Sequence, residues 1–279
     1  MLINKEYMLH LDMQVKDCIA EFWVNGIPVT RLDSEVHSFN SLIAHHFLLD
    51  GLNTFEVVIN PGPTPSLARA TNIIDNDEKH SAEPKAIIQL MKYTVGAFVG
   101  DNDAGQILMQ LNWEYDQKVH GEMHFPIVTK SSYQLGKHLG TWVWQTCPPL
   151  NLANEREQII AVLADIYKSF ITGNSARVVG FLMPYIQDAE RALPGYSAAE
   201  QINDITNDIN DNVQLTENAS VFDIDKLDFR VCGQGNIVQI VNKDWLPTIS
   251  IPLGQEYDDD KYALEMFIGK VKGYWRAVL

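Results

Sequence analysis

Alternation of apolar and polar residues dominates the first half of the chain. In Tyr7–Val15, Tyr7, Leu9, Leu11, Met13 and Val15 fall on one face of a period-two pattern and His10, Asp12 and Gln14 on the other, which predicts a half-buried strand. Cys18–Val24 and Ile27–Leu32 follow as strands separated by Asn25-Gly26, a pair that tolerates the positive φ angles of a type I′ turn. Pro28 counts against the second of these, since it cannot donate to a ladder. Residues 48–59 read as a turn at Asp50-Gly51 feeding another strand, which Pro61, Pro63 and Pro65 stop. Thr71–Pro84 has no periodicity and is predicted to be a long surface loop. Ala86–Val99, Gln106–Tyr115, Gly121–Tyr133 and Gly140–Thr146 supply four more strand candidates, the first two joined by turn-forming residues at 100–105. Short strands with turn chemistry between them predict an antiparallel β-sandwich.

The period changes after Cys147-Pro-Pro-Leu-Asn151, where consecutive prolines favour an extended linker. The chain is therefore divided into a β-sandwich domain, 1–149, and an α+β domain, 150–279. Ile159, Val162, Leu163, Ile166, Tyr167 and Phe170 recur at helical spacing between a candidate N-cap at Asn154 and a C-cap at Gly173. A shorter helix, Ser175–Met183, is predicted to end at Pro184, and residues 198–215, rich in Asn and Asp, are weakly helical or loop-like. Leu227–Cys232, Ile237–Val241, Thr248–Leu253, Tyr262–Lys270 and Gly273–Leu279 are strand-like. Helices followed by a meandering sheet describe an α+β domain.

The long helix, the Gly173-Asn174 turn, a short helix and a strand run closing with Trp275 resemble the NTF2-like (cystatin-like α+β cone) superfamily. That resemblance covers about residues 152–279 and implies helices packed on a curved antiparallel sheet. It also implies either a non-catalytic binding module or an isomerase or dehydratase acting on a small hydrophobic substrate in the cone. Val24-Asn-Gly-Ile-Pro-Val29 together with residues 48–57 resembles the Asn-Gly … Gly-x-Asn strand pairs of jelly-roll carbohydrate-binding modules, implying sugar binding by the first domain.

All eight histidines precede the proposed boundary. Acid–base chemistry in a C-terminal cone would therefore rest on carboxylates and tyrosines. Asp228, Tyr257, Tyr262, Glu265 and Trp275 are the candidate ligand-binding residues, with no catalytic residue assigned. His120-Gly-Glu-Met-His124 lacks the His-Glu-x-x-His helix geometry, Asp101-Asn-Asp103 lacks the rest of a calcium loop, and His45-His46 as strand neighbours would point to opposite faces. No metal and no cofactor is expected. Trp113, Tyr115, Trp142 and Trp144 fit a hydrophobic core better than a sugar-stacking platform.

A formal charge of −15, spread over both halves, argues against nucleic acid and anionic membranes as partners and favours a cationic protein. Asp258, Asp259 and Asp260 are the candidate contact residues for it, and a homodimer through the C-terminal sheet is left open. The N-terminus has no secretory pattern and no segment is apolar enough to span a bilayer. Three scattered cysteines suggest buried free thiols. A cytoplasmic location follows as the expectation. The leading functional expectation is a non-enzymatic acidic protein-binding module, of which a bacterial immunity or adaptor protein is one instance.

Overall fold

A computed structural model describes residues 6–35, 38–70, 84–99, 104–116, 125–137, 139–212, 223–252, 261–264 and 266–279. It is a mixed α+β structure in which every strand pairing is antiparallel. The chain divides into two compact units, Met1–Thr141 with Ala192–Pro194 and Trp142–Arg191 with Gly195–Leu279. The Cys147–Asn151 segment thus lies inside the second unit.

The first unit holds β1 (Tyr7–Lys16), β2 (Ile19–Val24), β3 (Ile27–Asp33), β4 (Phe39–Ile43), β5 (Gly51–Ile59), β6 (Lys85–Thr94), β7 (Gly105–Glu114) and β8 (Ile127–Leu135). They form two four-stranded sheets, ordered β4-β1-β6-β7 and β3-β2-β5-β8. Register explains the alternation seen in the sequence. Val15, Ala86 and Trp113 lie in one cross-strand row, Met13, Ile88 and Leu111 in the next, and Leu11, Leu90 and Met109 in a third, and all nine are buried. In the other sheet the rows Leu32–Ala20–Ile59, Phe22–Val57 and Val24–Phe55 are likewise buried. Burial of a Leu, Val or Phe side chain contributes roughly 1.5–3 kcal/mol, so a slip of one residue in these strands would forfeit many such terms at once. Asn25 and Gly26 both have positive φ, 52° and 74°, as the I′ turn requires.

The second unit contains α1 (Val143–Thr146), α2 (Leu152–Ile171), α3 (Ser175–Ala192) and α4 (Ala198–Asn212), then β9 (Leu227–Cys232), β10 (Ile237–Asn242), β11 (Ile249–Pro252), β12 (Lys261–Leu264), β13 (Met266–Val271) and β14 (Tyr274–Ala277). The main sheet is ordered β14-β13-β10-β9, and β11 and β12 form a separate hairpin. One core joins helices to sheet: Ile159, Leu163 and Ile166 of α2, Phe181 and Ile186 of α3, Ile205 and Ile209 of α4, and Val238, Ile240, Ile268 and Trp275 of the strands.

Two expectations are corrected. Gly140–Thr146 is not a strand: Trp142 is the N-cap of the short α1 and Trp144 lies within it, and they are 0% and 1% exposed. The Trp-Val-Trp alternation mimics a strand, but the Trp142 and Val143 N–H groups are taken by the side chains of Gln145 and Asp188, both at 2.7 Å, and not by a neighbouring strand. The helix from Ser175 does not stop at Pro184 but runs to Ala192. An interior proline costs about 3 kcal/mol, which burial of Phe181, Leu182, Ile186 and Ala189 on both sides of it outweighs.

The face of the main sheet turned away from the helices has a slot for α1. A Cβ at Gly269 would lie 2.6 Å from Cys147 Sγ, and one at Gly233 would lie 3.4 Å from the Trp144 ring and 2.8 Å from Ile237. Gly269→Ala is therefore expected to destabilise the second unit by about 1–3 kcal/mol, with Cys147→Ala in the same chain recovering part of the loss. Urea denaturation of the two single variants and the double variant checks this, and strict additivity would remove the steric explanation.

Candidate functional site

Of the candidate residues of the C-terminal half, Asp228 and Trp275 have described side chains, and these lie on opposite faces of the main sheet. Trp275 stands in the row with Lys270 and belongs to the helix-facing core, where its ring is 6% exposed and its indole N–H meets no acceptor. Asp228 pairs with Val241 one position out of phase with Phe229 and Ile240, which face the helices, so its side chain lies on the opposite face. There its Oδ1 accepts the Phe229 N–H at 3.1 Å. Tyr262 lies in β12 opposite Ile251. Tyr257, Asp258, Asp259, Asp260 and Glu265 are outside the described residues. The helix-facing side of the sheet is filled by Val238, Ile240, Met266, Ile268, Trp275 and Ala277.

A buried carboxylate does occur in this unit, at Asp188 of α3. It accepts from Val143 N–H and, at 3.1 Å, from Arg191, whose guanidinium lies 4.2 Å over the Trp142 ring. Burial raises its pKa, against the opposing pull of those two donors. Its oxygens hold α1 to α3, so it serves as a structural tie.

The histidine and aromatic candidates are also placed. His120, His124, Asp101 and Asp103 are outside the described residues, and among the described residues no three His, Cys, Asp or Glu side chains are grouped to hold a metal. His45 and His46 are not in a strand but in a one-turn 3-10 helix, His45–Phe47. His45 is fully buried, and its Nε2 accepts the Leu9 N–H at 2.9 Å. Trp113, Trp142 and Trp144 are buried. Cys18, Cys147 and Cys232 are buried free thiols.

Two polar groupings in the first unit were not singled out by sequence reasoning. On the outer face of the β4-β1-β6-β7 sheet, Asp12 receives the Ser41 hydroxyl at 2.5 Å and the Tyr93 hydroxyl at 2.9 Å. The one hydroxyl proton of Ser41 is thereby committed, so His10 Nδ1, 3.3 Å from Ser41 Oγ, is the donor of that contact. The imidazole then presents a bare Nε2, buried and without a hydrogen-bond partner. Burial lowers the His10 pKa, with Asp12 opposing. The carboxylate sits beside the serine, not behind the histidine, so this is not the order of a nucleophilic triad.

The second grouping covers the outer face of the β3-β2-β5-β8 sheet. Glu21 and Trp23 of β2 point away from the apolar rows, and Trp23 stands opposite Glu56 of β5. Glu21 is 1% exposed and accepts the Trp23 indole N–H at 2.9 Å. Glu56 forms ion pairs with Arg69 and, at 2.8 Å, with Lys130, its cross-strand neighbour on β8. The Arg69 guanidinium lies 3.7 Å from the Trp23 ring centroid. The available signal was a single glutamate inside each of two otherwise apolar strands, Ile19–Val24 and Phe55–Ile59. Arg69, far away in sequence, completes the group only in the fold.

The strongest surface feature is α4. Ile202, Ile205 and Ile209 turn inward, and Glu200, Asp204, Asp208 and Asp211 lie on the exposed side at spacings of four, four and three. Lys and Arg are absent from Ala198–Asn212. Like charges at these spacings oppose one another by roughly 0.2–0.5 kcal/mol per pair, and Asp208 and Asp211 also stand at the negative end of the helix dipole. Glu200, in the first turn, suits that dipole, so the opposition falls on the later turns of the helix.

Comparison with protein-family models, with curated proteins and with solved structures finds no match for this chain. Among the described residues no helix is long and apolar enough to cross a membrane.

Proposed function

We propose that the protein is a non-enzymatic binding module that engages a basic protein through its acidic surface, as a bacterial immunity or adaptor protein facing a cationic toxin would. The observation that carries this reading is the α4 stripe Glu200–Asp204–Asp208–Asp211, a one-signed exposed face on a chain of charge −15. Such a field accelerates encounter with a cationic surface and weakens as salt screens it. The same reading takes the first unit as an antiparallel sandwich and the second as an NTF2-like cone used for binding. Helices α2, α3 and α4 packed on the sheet that follows them, the Gly173-Asn174 turn after α2 and Trp275 on the helix-facing side support the latter. Occupation of that side by packed core residues, with Asp228 on the other face, favours binding over the isomerase or dehydratase alternative.

Reversal of Glu200, Asp204, Asp208 and Asp211 to Lys is expected to reduce capture of basic proteins from native lysate roughly tenfold at ~50 mM salt. The control reverses four exposed acids elsewhere, Glu114, Asp116, Glu157 and Asp244, and is expected to retain most of the capture. Equal loss in both variants would assign the effect to net charge, and no capture by the native protein would remove the reading.

A further inference from the structure

Two histidines that cannot take up a proton without loss lie at one end of the seam between β1 and β4. His10 of β1 stands opposite Ile43 of β4, and Ala44, the next residue, donates its N–H to the Leu9 carbonyl at 2.8 Å. His45 then accepts the Leu9 N–H on Nε2. An accepting Nε2 leaves the ring proton on Nδ1, which is buried without an acceptor. The contact from His10 Nδ1 to Ser41 leaves His10 Nε2 in the same condition. Each imidazole therefore has one nitrogen satisfied across the seam and one buried and unpaired. A proton on His45 Nε2 would cut the Leu9 bond, and a proton on His10 Nε2 would add a charge and a donor with nothing to receive it.

The strand that carries this turn is lightly packed. β4 ends the order β4-β1-β6-β7; its Phe39 is 46% exposed and its other four residues are half-buried, whereas Leu9, Leu11 and Met13 of β1 are at most 1% exposed. Segments with few buried apolar side chains open at lower free energy than the core they border. The turn is different: Ala44 and His45 are fully buried, and the Phe47 carbonyl accepts from Asn25 Nδ2. The turn thus fastens the strand, and a neutral His45 is part of the fastening. Among the described residues, the titratable groups around the two rings are Asp12 beside His10, the Tyr93 phenol of β6 edge-on to His10 at 5.4 Å, and His46 next to His45. Burial opposes protonation of both rings, Asp12 favours it at His10, and the proximity of His46 and His10 opposes it further at His45.

We propose that β4 and its 45–47 turn form an acid-released latch: protonation of His10 and His45 frees this edge strand from β1 while the other strands of the first unit stay paired. Opening brings water to His10 Nε2 and His45 Nδ1, the two atoms that the closed form leaves unpaired, and gives both rings room for a second proton. It also uncovers backbone groups of β1 between Leu9 and Val15. The opened form binds protons first, so opening is favoured as the pH falls from 6.5 toward about 4. Over that range His45 alone raises the opening constant ~300-fold. The latch does not depend on the α4 reading, since it needs no partner.

Native-state hydrogen exchange of the full chain, corrected for intrinsic rates at each pH between 7 and 4, tests this. The Leu9, Ala44 and Val15 amides bond across the seam. They are expected to exchange through an opening roughly tenfold or more above the one that exposes Ile88 and Leu90 of the central β6, and with little dependence on added urea. That opening should grow ~300-fold or more from pH 7 to pH 4. His45→Gln should cut the growth to the smaller part carried by His10. His10→Gln should lower the slope while leaving the Leu9 bond in place, and it decides the matter if His45→Gln does not fold. Exchange of the seam amides only together with Ile88 and Leu90 would mean that the histidines titrate with unfolding of the whole unit, and would overturn the proposal. A separate opening that ignores pH, or one whose pH dependence survives the substitutions, would overturn it as well.

Discussion

Acidification from pH 7 to pH 4 is expected to remove several kcal/mol of stability from the first unit. Burial, assisted by the neighbouring His46 and His10, lowers the pKa of His45 from 6.5 to about 4, and burial lowers that of His46 to about 4. For a base with a depressed folded pKa, the unfolded chain binds the proton first. Stability is therefore fully present above about pH 6.5, falls as the pH is lowered toward 4, and loses nothing further from this group below that. For the fully buried His45 the difference corresponds to about 3 kcal/mol, a large share of the 5–15 kcal/mol typical of a domain. The physical conflict is specific: Nε2 must stay unprotonated to accept the Leu9 N–H that holds the 45–47 turn against β1. His45→Gln keeps an acceptor and removes the titration. In urea titrations at half-unit pH steps, this variant should show a slope between pH 6.5 and 4 shallower by about one proton, and an unchanged slope would disprove the assignment. Asp188 in the second unit acts in the opposite sense. Its raised pKa means that the native state takes up the proton first as the pH falls, so its contribution grows on acidification in the range just above the ordinary value of 3.8.

Asn53→Asp is expected to cost about 3 kcal/mol or more, although it exchanges only an amide for a carboxylate. Asn53 is 0% exposed and uses both ends of its side chain. Oδ1 accepts from Asn25 Nδ2 at 2.8 Å and from Leu49 N–H at 2.7 Å, and Nδ2 donates to the carbonyls of Leu49 and Gly51 at 2.9 and 3.0 Å. A carboxylate keeps the first pair and sets an oxygen against two carbonyls in the second, with a charge that lacks a counterion. Asn25 is bound as tightly: Nδ2 also donates to Phe47 C=O at 2.8 Å, and Oδ1 accepts the Thr54 N–H at 3.0 Å. The two amides tie the β2–β3 turn, the 45–47 turn and the start of β5 into one buried network. The denaturation midpoint of the first unit measures the effect, and a loss below about 1 kcal/mol, the usual net worth of a single hydrogen bond, would show that the network is not a unit.

That network bears on what the sequence allowed. Asn25-Gly26 was readable as a turn because the signal is local: two residues tolerant of positive φ between two apolar runs. That the Asn25 side chain would turn inward and find Asn53 was not readable, because their pairing is settled by β2–β5 register. The same limit explains the misread pieces. Trp142-Val-Trp144 shows a strand's alternation, but side chains of Gln145 and Asp188 take its N–H groups. Pro184 breaks a helix by every local rule, yet α3 continues because the residues around it are buried.

By itself the sequence determined the mixed α+β class, the hairpin turn at Asn25-Gly26, the long helix ending near Gly173 and the acidity of the whole chain. Each depends on period, turn chemistry or charge count, which act over a few residues or need no geometry at all. Only the tertiary structure decided which polar residues meet. It turned Asp228 and Trp275 to opposite faces of one sheet, collected Glu200, Asp204, Asp208 and Asp211 on the outer side of α4, and brought Arg69 onto Trp23 and Glu56. The reason is the same in each case: strand register and helix docking are fixed by burial of apolar rows from distant segments, and the polar side chains are carried to wherever those rows place them.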